Sequence, residues 1–299
     1  MDRLDAMSVL LAVVDEGSLS AAARKLRAPL ATVSRKVSEL EAHLRTRLLV
    51  RSSRRVSLTE AGRGYVEASR RILEQVSEAE RTAAGEYAAP KGELTVTAPV
   101  VFGRQHVLPV VVDFLKAYPE IDLRLVLADR VVNLVDDHID LAVRIGELPD
   151  SGLHASRLGA IRRVTCASPA YLADRGRPLR PEDLEAHDCI TFEGLSAVRA
   201  YRFRTAKGEV SVPIHARLTV NTAEAAIDAA IAGLGLTRVL SYQIVAAERA
   251  GLIEVVLREY EPEPWPVHLV YLGQGLLPLK LRAFLDFAAP RLKARLAPA

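Results

Sequence analysis

Ten basic side chains fall within one stretch that carries only two acids. Between residues 24 and 55 the chain holds Arg24, Lys25, Arg27, Arg35, Lys36, Arg45, Arg47, Arg51, Arg54 and Arg55 against Glu39 and Glu41, a local net charge of +8 where the whole chain has +3, which leaves −5 for the remainder. A basic block on an otherwise acidic chain is suited to neutralising the phosphates of a polyanion. It is equally compatible with a solvated basic face, and only the arrangement of the residues can decide.

Signs of other chemistry are sparse. Gly233-Leu234-Gly235 is followed by Arg238 where a dinucleotide fingerprint needs its third glycine. A helix end feeding a strand accounts for it better. There is no Gly-x-Ser-x-Gly and no P-loop, and His43, His106, His138, His154, His187, His215 and His268 are scattered without metal-ligand spacing. Cys166 and Cys189 lack Cys-x-x-Cys spacing and read as reduced, buried thiols. The expectation is no catalytic residue, no metal, no cofactor and no enzyme activity.

Composition supports a folded, water-facing protein. The chain has 299 residues, 49% hydrophobic and 26% charged, with a mean hydropathy of +0.12, which excludes disordered and fibrous classes and suggests about two domains. The longest run without acidic or basic residues, Pro264 to Leu279, contains His268, Gly273, Gln274, Gly275 and Pro278, so no membrane span is expected. The start, MDRLDAMSVL, carries two acids and no basic segment before an apolar one. It does not read as a secretory signal, and a cytoplasmic location is expected.

The basic residues need elements to position them. Leu4, Met7, Leu10, Leu11 and Val14 recur at helical spacing over residues 3–15, and Ser18 is placed to cap a short helix, Leu19 to Leu26. Arg27-Ala28-Pro29 cannot continue that helix. Val33, Val37, Leu40 and Leu44 then mark one apolar face of a third, with Ala22 small enough for close approach. Helix, tight turn and helix make a helix-turn-helix, with the basic residues on or beside its second half. Val50 to Leu58 fits a short two-stranded wing. From Thr59 a long helix begins, with Tyr65, Ser69, Ile72, Val76, Ala79 and Ala83 at heptad-like spacing, a seam suited to pairing with another helix or to lying on its own domain; residues 59 to 85 would span roughly 40 Å.

Ala88 to Gly92 reads as a linker. Strand-like runs from Glu93–Ala98 to Val267–Tyr271 then alternate with helical pieces such as Gly103–Tyr118, Val131–His138, Thr222–Ala232 and Pro278–Leu296, which argues for an α/β fold with a largely parallel sheet. The expected division is a winged helix-turn-helix at 1–58, a linker helix at 59–88 and a two-lobed domain at 90–299. Its first lobe takes in about 90–163 and 267–299 and its second about 164–266, with crossings near Val164–Ser168 and Pro262–Val267.

Read in order, Ser18-Leu19-Ser20-Ala21-Ala22-Ala23-Arg24-Lys25-Leu26, Thr32-Val33-Ser34-Arg35-Lys36-Val37, Leu40-Glu41, Arg47-Leu48-Leu49-Val50-Arg51, Arg54-Arg55 and Leu58-Thr59-Glu60-Ala61-Gly62 resemble the LysR-type transcriptional regulators. Asp140-Leu141-Ala142-Val143-Arg144-Ile145-Gly146-Glu147 and Cys166-Ala167-Ser168-Pro169-Ala170-Tyr171-Leu172 are similar to a large subgroup of that family, so the resemblance covers the whole chain. It implies a dimerising linker helix and an effector domain resembling periplasmic solute-binding proteins. It also implies a homodimer or homotetramer on double-stranded promoter DNA, a small-molecule effector, and RNA polymerase as a further candidate partner. The sequence departs from the family at Pro29 and Leu30, where Ser-Gln is common, and at Arg27 and Arg45, where glycine is frequent. The competing reading is a two-lobed small-molecule-binding protein with no direct transcriptional role, which the helix-turn-helix disfavours.

With Val33, Val37 and Leu40 inward, Thr32, Arg35, Lys36 and Ser38 face outward and Ser34 lies at the boundary, the side a major groove would meet. Arg51, Arg54 and Arg55 on the wing are placed for phosphates or the minor groove, although Arg51 could equally form a structural ion pair. In the second domain, the strand-to-helix junctions at Thr97, Pro99, Val100 and Phe102 and at Asn221 and Thr222 are candidate anion sites. The resemblance places both, with the Arg144–Gly146 turn, around the effector pocket. Phe102 would pack on an apolar ligand and Arg144 would pair with a carboxylate. Alternatively, Asn221 and Thr222 serve as helix caps and Arg144 bridges to Glu147.

Overall fold

The computed structural model describes residues 2–51, 56–83, 89–130, 132–134, 137–148, 152–192, 200–273 and 277–297. The chain divides into two compact units, Met1–Ala89 and Pro90–Ala299.

In the first unit, α1 (Arg3–Asp15), α2 (Leu19–Lys25) and α3 (Leu30–Leu44) are followed by an antiparallel pair, β1 (Leu49–Arg51) and β2 (Val56–Leu58), and by α4 (Glu60–Ala83). Caps set the helix starts. The Asp2 carboxylate accepts from the Leu4 and Asp5 amides, and the Ser18 hydroxyl accepts from Ala21 at 3.1 Å. Leu10, Val13, Ala22, Val33, Val37, Leu40 and Leu48 form the buried core, so the spacing that defined the third helix is the spacing that buries it. The start of α4 is fixed by Thr59, whose hydroxyl donates to the Arg47 carbonyl at 2.8 Å and accepts from the Gly62 amide at 2.9 Å. Gly62 is required for a separate reason: a Cβ there would lie 2.0 Å from the Leu48 carbonyl oxygen.

The α4 seam divides along its length. Val66 and Ser69 are buried and Tyr65 half-buried against the unit's own core, and Arg70 pairs with Asp15 of α1. From Ile72 onward the seam is less covered: Ile72 is 39% exposed, Ala79 is exposed and Val76 is half-buried. Tyr65 and Ser69 therefore serve their own domain and leave Ile72 and Ala79 exposed, with Val76 half-buried between them; the side chain of Ala83 lies outside the described residues.

The second unit is built on two five-stranded sheets. The first has the order β4-β3-β5-β14-β6, from β3 (Gly92–Ala98), β4 (Ile121–Leu127), β5 (Leu141–Ile145), β6 (Leu153–Ile161) and β14 (Trp265–Leu272). The second has the order β11-β8-β12-β7-β13, from β7 (Arg163–Ala167), β8 (Asp188–Phe192), β11 (His215–Val220), β12 (Leu236–Leu240) and β13 (Glu254–Val256). A hairpin of β9 (Ala200–Thr205) and β10 (Gly208–Pro213) joins the second lobe. On the first lobe lie α5 (Val100–Phe102), a π-helical turn at Gly103–Val107, α6 (Leu108–Ala117) and α10 (Leu279–Leu296); α7 (Pro169–Arg175), α8 (Ala223–Ile231) and α9 (Val245–Arg249) belong to the second.

Several expectations need correction. The sheets are mixed, not largely parallel: in each, two strand pairs run parallel and two antiparallel. β14 returns from the other lobe and so enters against β5, and β7 arrives from the first lobe against β12. Val131–His138 is no helix where it is described. Asp137 closes a single turn by accepting from the Asn133 amide at 3.0 Å, and His138 has φ 54°. The edge strand β6 and the helix α7 went unread. Gly233-Leu234-Gly235 does end a helix, with Gly233 at φ 82°, and a Cβ on Gly235 would sit 2.3 Å from the Asp188 carbonyl oxygen.

Gly62→Ala is expected to lower stability by about 1–3 kcal/mol, because backbone must shift to admit the methyl. Urea unfolding of the full chain, followed by helical circular dichroism, measures it; an unchanged first transition would show the Leu48–Gly62 approach to be loose.

Candidate DNA interface and inter-lobe cavity

The outward face of α3 carries the expected residues in different states. Arg35 is exposed and pairs with Glu39 one turn on at 2.7 Å. Exposed pairs of this spacing are worth about 0.3–0.5 kcal/mol, so its guanidinium is easily released. Lys36 is engaged instead: its ammonium lies 2.5 Å from the Asp5 carboxylate and ties α3 to α1. Thr32 and Ser34 are half-buried and Ser38 exposed. Arg51 ends β1, with its side chain outside the described residues, and Arg54 and Arg55 lie outside them altogether.

Two further features of this face were not legible beforehand. Glu41 is a structural acid inside the basic block, accepting from the Leu48 and Leu49 amides at 2.8 and 3.0 Å and fixing the entry to the wing. Arg27 and Arg45 flank the recognition helix in left-handed backbone, at φ 50° and 51°, and both are exposed. That conformation is why glycine suits these positions, and a side chain there costs roughly 1–2 kcal/mol. The departure of Pro29 is also explained: it starts α3 with φ −58° and no side-chain cap, leaving Leu30 48% exposed.

The expected effector residues mostly serve the fold. The Thr97 hydroxyl is buried and donates to the Val126 carbonyl at 2.8 Å, and the Val100 amide donates to Asp129 at 3.0 Å. Phe102 is corrected to a core residue: it is 0% exposed, with its ring 4.7 Å from His106 and 5.5 Å from Tyr242. Pro99 is half-buried at the same junction. Arg144 does not reach Glu147; it donates to the Val132 carbonyl at 2.5 Å, and burial lowers its pKa. Thr222 caps α8, accepting from Ala225 at 3.3 Å, and Asn221 is exposed. The lobes do meet here, through Arg104 and Glu224 at 3.6 Å and through Tyr242 against Phe102 and His106.

A cavity of about 480 Å³ lies instead where the chain crosses between the sheets. Its walls combine Arg163, Arg238, Tyr201, Phe192 and Trp265, with Glu147, Glu209 and Glu263 among the remaining lining groups. Gly146, at φ 110°, precedes the lining Glu147, and a Cβ there would come within 3.8 Å of the Trp265 ring. Arg238 is stacked over Tyr201 and Phe203 at 4.4 and 4.1 Å and donates to the Thr165 hydroxyl and the Arg202 carbonyl. Burial lowers its pKa to about 10 and raises that of Tyr201. Arg163 lies 4.5 Å over the Trp265 ring. Cys166 and Cys189 are buried, and burial pushes both thiols up to about 12, so neither is a ready thiolate. Among the described residues no cluster of histidine, cysteine and acids could hold a metal, and no single helix is long and apolar enough to cross a membrane.

Residues 4–63 match the family model of bacterial regulatory helix-turn-helix proteins of the lysR family, and residues 88–293 match that of the LysR substrate binding domain. The chain belongs to the LysR family of transcriptional regulators. It is 32% identical to a probable HTH-type transcriptional regulator, LtrA, of Klebsiella pneumoniae, over 98% of this chain and 96% of that protein. Among solved structures it resembles CrgA of Neisseria meningitidis, a LysR-type transcriptional regulator (32% identity, TM-score 0.61, 98% of this chain and 99% of that one). It also resembles the Vibrio cholerae virulence activator AphB (26% identity, TM-score 0.61, 95% and 98%). As a LysR-type regulator the chain is a DNA-binding protein with an effector-binding domain, not an enzyme.

Within this family frame the strained arginines become measurable. Arg45→Gly is expected to raise stability by about 1 kcal/mol while weakening DNA binding, since it relieves a left-handed side chain and removes one exposed charge. Urea unfolding paired with binding isotherms at two salt concentrations checks both signs; a loss of stability would contradict the backbone argument.

Proposed function

We propose that this regulator binds double-stranded promoter DNA as a homo-oligomer in the cytoplasm, where RNA polymerase acts, and alters that binding when a small molecule occupies the region between its two lobes. The observation that carries the DNA reading is the geometry of α3. Its Val33, Val37 and Leu40 face is locked into the core. That leaves Arg35 on the outside, restrained only by an exposed pair with Glu39. A helix presented this way fits a major groove, and an arginine on it can take both acceptors of a guanine edge. The exposed Ile72 and Ala79 of α4, with the half-buried Val76 between them, support pairing of two such helices, which would set two reading heads on a two-fold-related site. Of the effector residues expected from the sequence, Gly146 is the chain neighbour of Glu147, which lines the cavity at the crossovers, while Thr222 and Asn221 adjoin Glu224 at the other lobe contact.

Two measurements test this. Arg35→Ala is expected to cost about 1–3 kcal/mol of DNA affinity and to flatten preference among operator variants. Equal affinity and an equal footprint would take Arg35 out of base reading. In equilibrium sedimentation the intact protein is expected to run as a dimer or larger at micromolar concentration and Ile72→Asp to shift it toward monomer; a monomeric wild type would overturn the oligomer.

A further inference from the structure

Three arginines line the cavity at the crossovers; Arg202 is exposed, and the other two, Arg163 and Arg238, are half-buried without an acidic partner among the described residues. Among the described residues neither Arg163 nor Arg238 has a carboxylate within ion-pair distance. Arg238 spends its bonds on the Thr165 hydroxyl and the Arg202 carbonyl, and Arg163 donates only to the Glu263 carbonyl, at 3.2 Å. The Nε of Arg163 is buried with no hydrogen-bond partner. A buried donor on a charged group is costly unless something fills the space beside it. Neither arginine is loose: each is pressed on aromatic rings, at 4.5 Å over Trp265 and at 4.4 and 4.1 Å over Tyr201 and Phe203.

We propose that this cavity binds a small monocarboxylate with a flat, largely apolar body, its carboxylate on the Arg163 and Arg238 guanidinium groups and its body between Trp265, Tyr201 and Phe192. The proposal rests on the reading that a small molecule acts between the lobes, and it names that molecule's chemistry. About 480 Å³ falls within the usual range for small-molecule pockets. The lining also sets a limit on charge. Glu147 and Glu209 are exposed, and Glu263 is occupied by Arg204. With the exposed Arg202 counted, three arginines face three glutamates and the lining has no net charge, so one negative charge on Arg163 and Arg238 is tolerated and a second meets no surplus cation; phosphorylated compounds and dicarboxylates are disfavoured. The position also gives the ligand leverage. Arg163 opens the outgoing crossover strand and Trp265 opens the returning one, so one occupant touches both segments that join the lobes.

Trp265 is the only tryptophan in the chain, so its fluorescence reports on this cavity alone. The full-length protein would be titrated with benzoate, cinnamate and indole-3-carboxylate, with benzamide as the neutral counterpart and phthalate as the dianion. At least one monocarboxylate is expected to change Trp265 emission with saturation, with benzamide and phthalate about 10-fold weaker or worse. Arg163→Gln is expected to lower the affinity about 10- to 100-fold, in line with the loss of a charge-assisted hydrogen bond, and Arg163→Lys to recover part of it. Arg163→Gln is the primary variant because Arg238 is packed deeper; Arg104→Gln, at the other lobe contact, serves as a control and should bind like wild type. No response to any monocarboxylate at millimolar concentration overturns the proposal. A phosphorylated or neutral compound that changes Trp265 emission at a lower concentration than every monocarboxylate overturns the assigned chemistry while leaving the effector reading intact. A compound that alters DNA binding but leaves Trp265 and the Arg163 variants unaffected places the effector elsewhere and overturns this cavity as its site.

Discussion

Where the chain passes from the first sheet to the second and back, the two crossing segments run side by side and are tied together. Arg162 lies 3.4 Å from the Glu261 carboxylate, Arg163 donates to the Glu263 carbonyl at 3.2 Å, and its guanidinium covers Trp265. Gly146 adds a third tie from the end of β5, donating to the Pro266 carbonyl at 2.9 Å. The second unit depends on this knot because only these two covalent links join its lobes. Relative motion of the lobes must be absorbed here, by a few residues at strand ends. The mixed sheets follow from the same constraint, since each lobe receives a strand from the other.

The lobes also touch at a second place, and the two contacts differ in kind. Arg104 and Glu224 form a long, exposed pair that contributes little. Tyr242 does more: it leaves the second sheet and packs with Phe102 and His106 against the first lobe's core. His106 sits there with both ring nitrogens buried and unbonded, and burial lowers its pKa, so it is held neutral as an apolar filler. Apart from the hydrogen bond between Tyr242 and the Phe102 backbone, this junction consists of neutral rings and loses little directional bonding when the lobes shift. The crossover knot, by contrast, is built from charges and aromatic faces that reward one arrangement. An occupant on Arg163 and Arg238 would therefore act where the structure is most specific about lobe position.

How much of this was readable beforehand depended on whether the signal was local. The apolar seam of α3, the Ser18 cap and the small Ala22 are periodic or adjacent features, and they define the first unit. The edge strand β6 escaped because His154 and Arg157 interrupt it and only one of its sides is paired, so neither alternation nor an apolar run marks it. For α7 the signal existed in Ser168-Pro169, a cap followed by proline at the first helical position, and it went unread. The burial of Phe102 was not legible because a strand-to-helix junction does not reveal which of its residues turns into the core. The cavity was missed for a different reason: its walls come from residues 147, 163, 191–192, 200–202, 209, 238 and 263–265, which no spacing rule connects. One hint was available in Leu236-Thr237-Arg238-Val239-Leu240, a lone arginine inside an apolar strand, since charge at such a position needs a reason.

The first unit shows charge set against backbone preference. Arg27 and Arg45 hold left-handed conformations that glycine would adopt without strain, at opposite ends of α3, the helix proposed to meet DNA. Two such positions cost about 2–4 kcal/mol together, a large share of the roughly 5–15 kcal/mol that stabilises a typical domain. Local stability cannot explain them. Each exposed cation near a phosphate instead adds to binding that is independent of base sequence and weakens with salt. The same logic separates the acids of the block. Glu41 is permanently engaged by two backbone amides, whereas Glu39 is held only by Arg35. Under the proposed role of α3, Arg35 turning toward a base edge would leave Glu39 uncompensated beside a polyanion. Release of the pair would then be favourable only where the base contact outweighs that repulsion, which would turn a generic attraction into sequence preference.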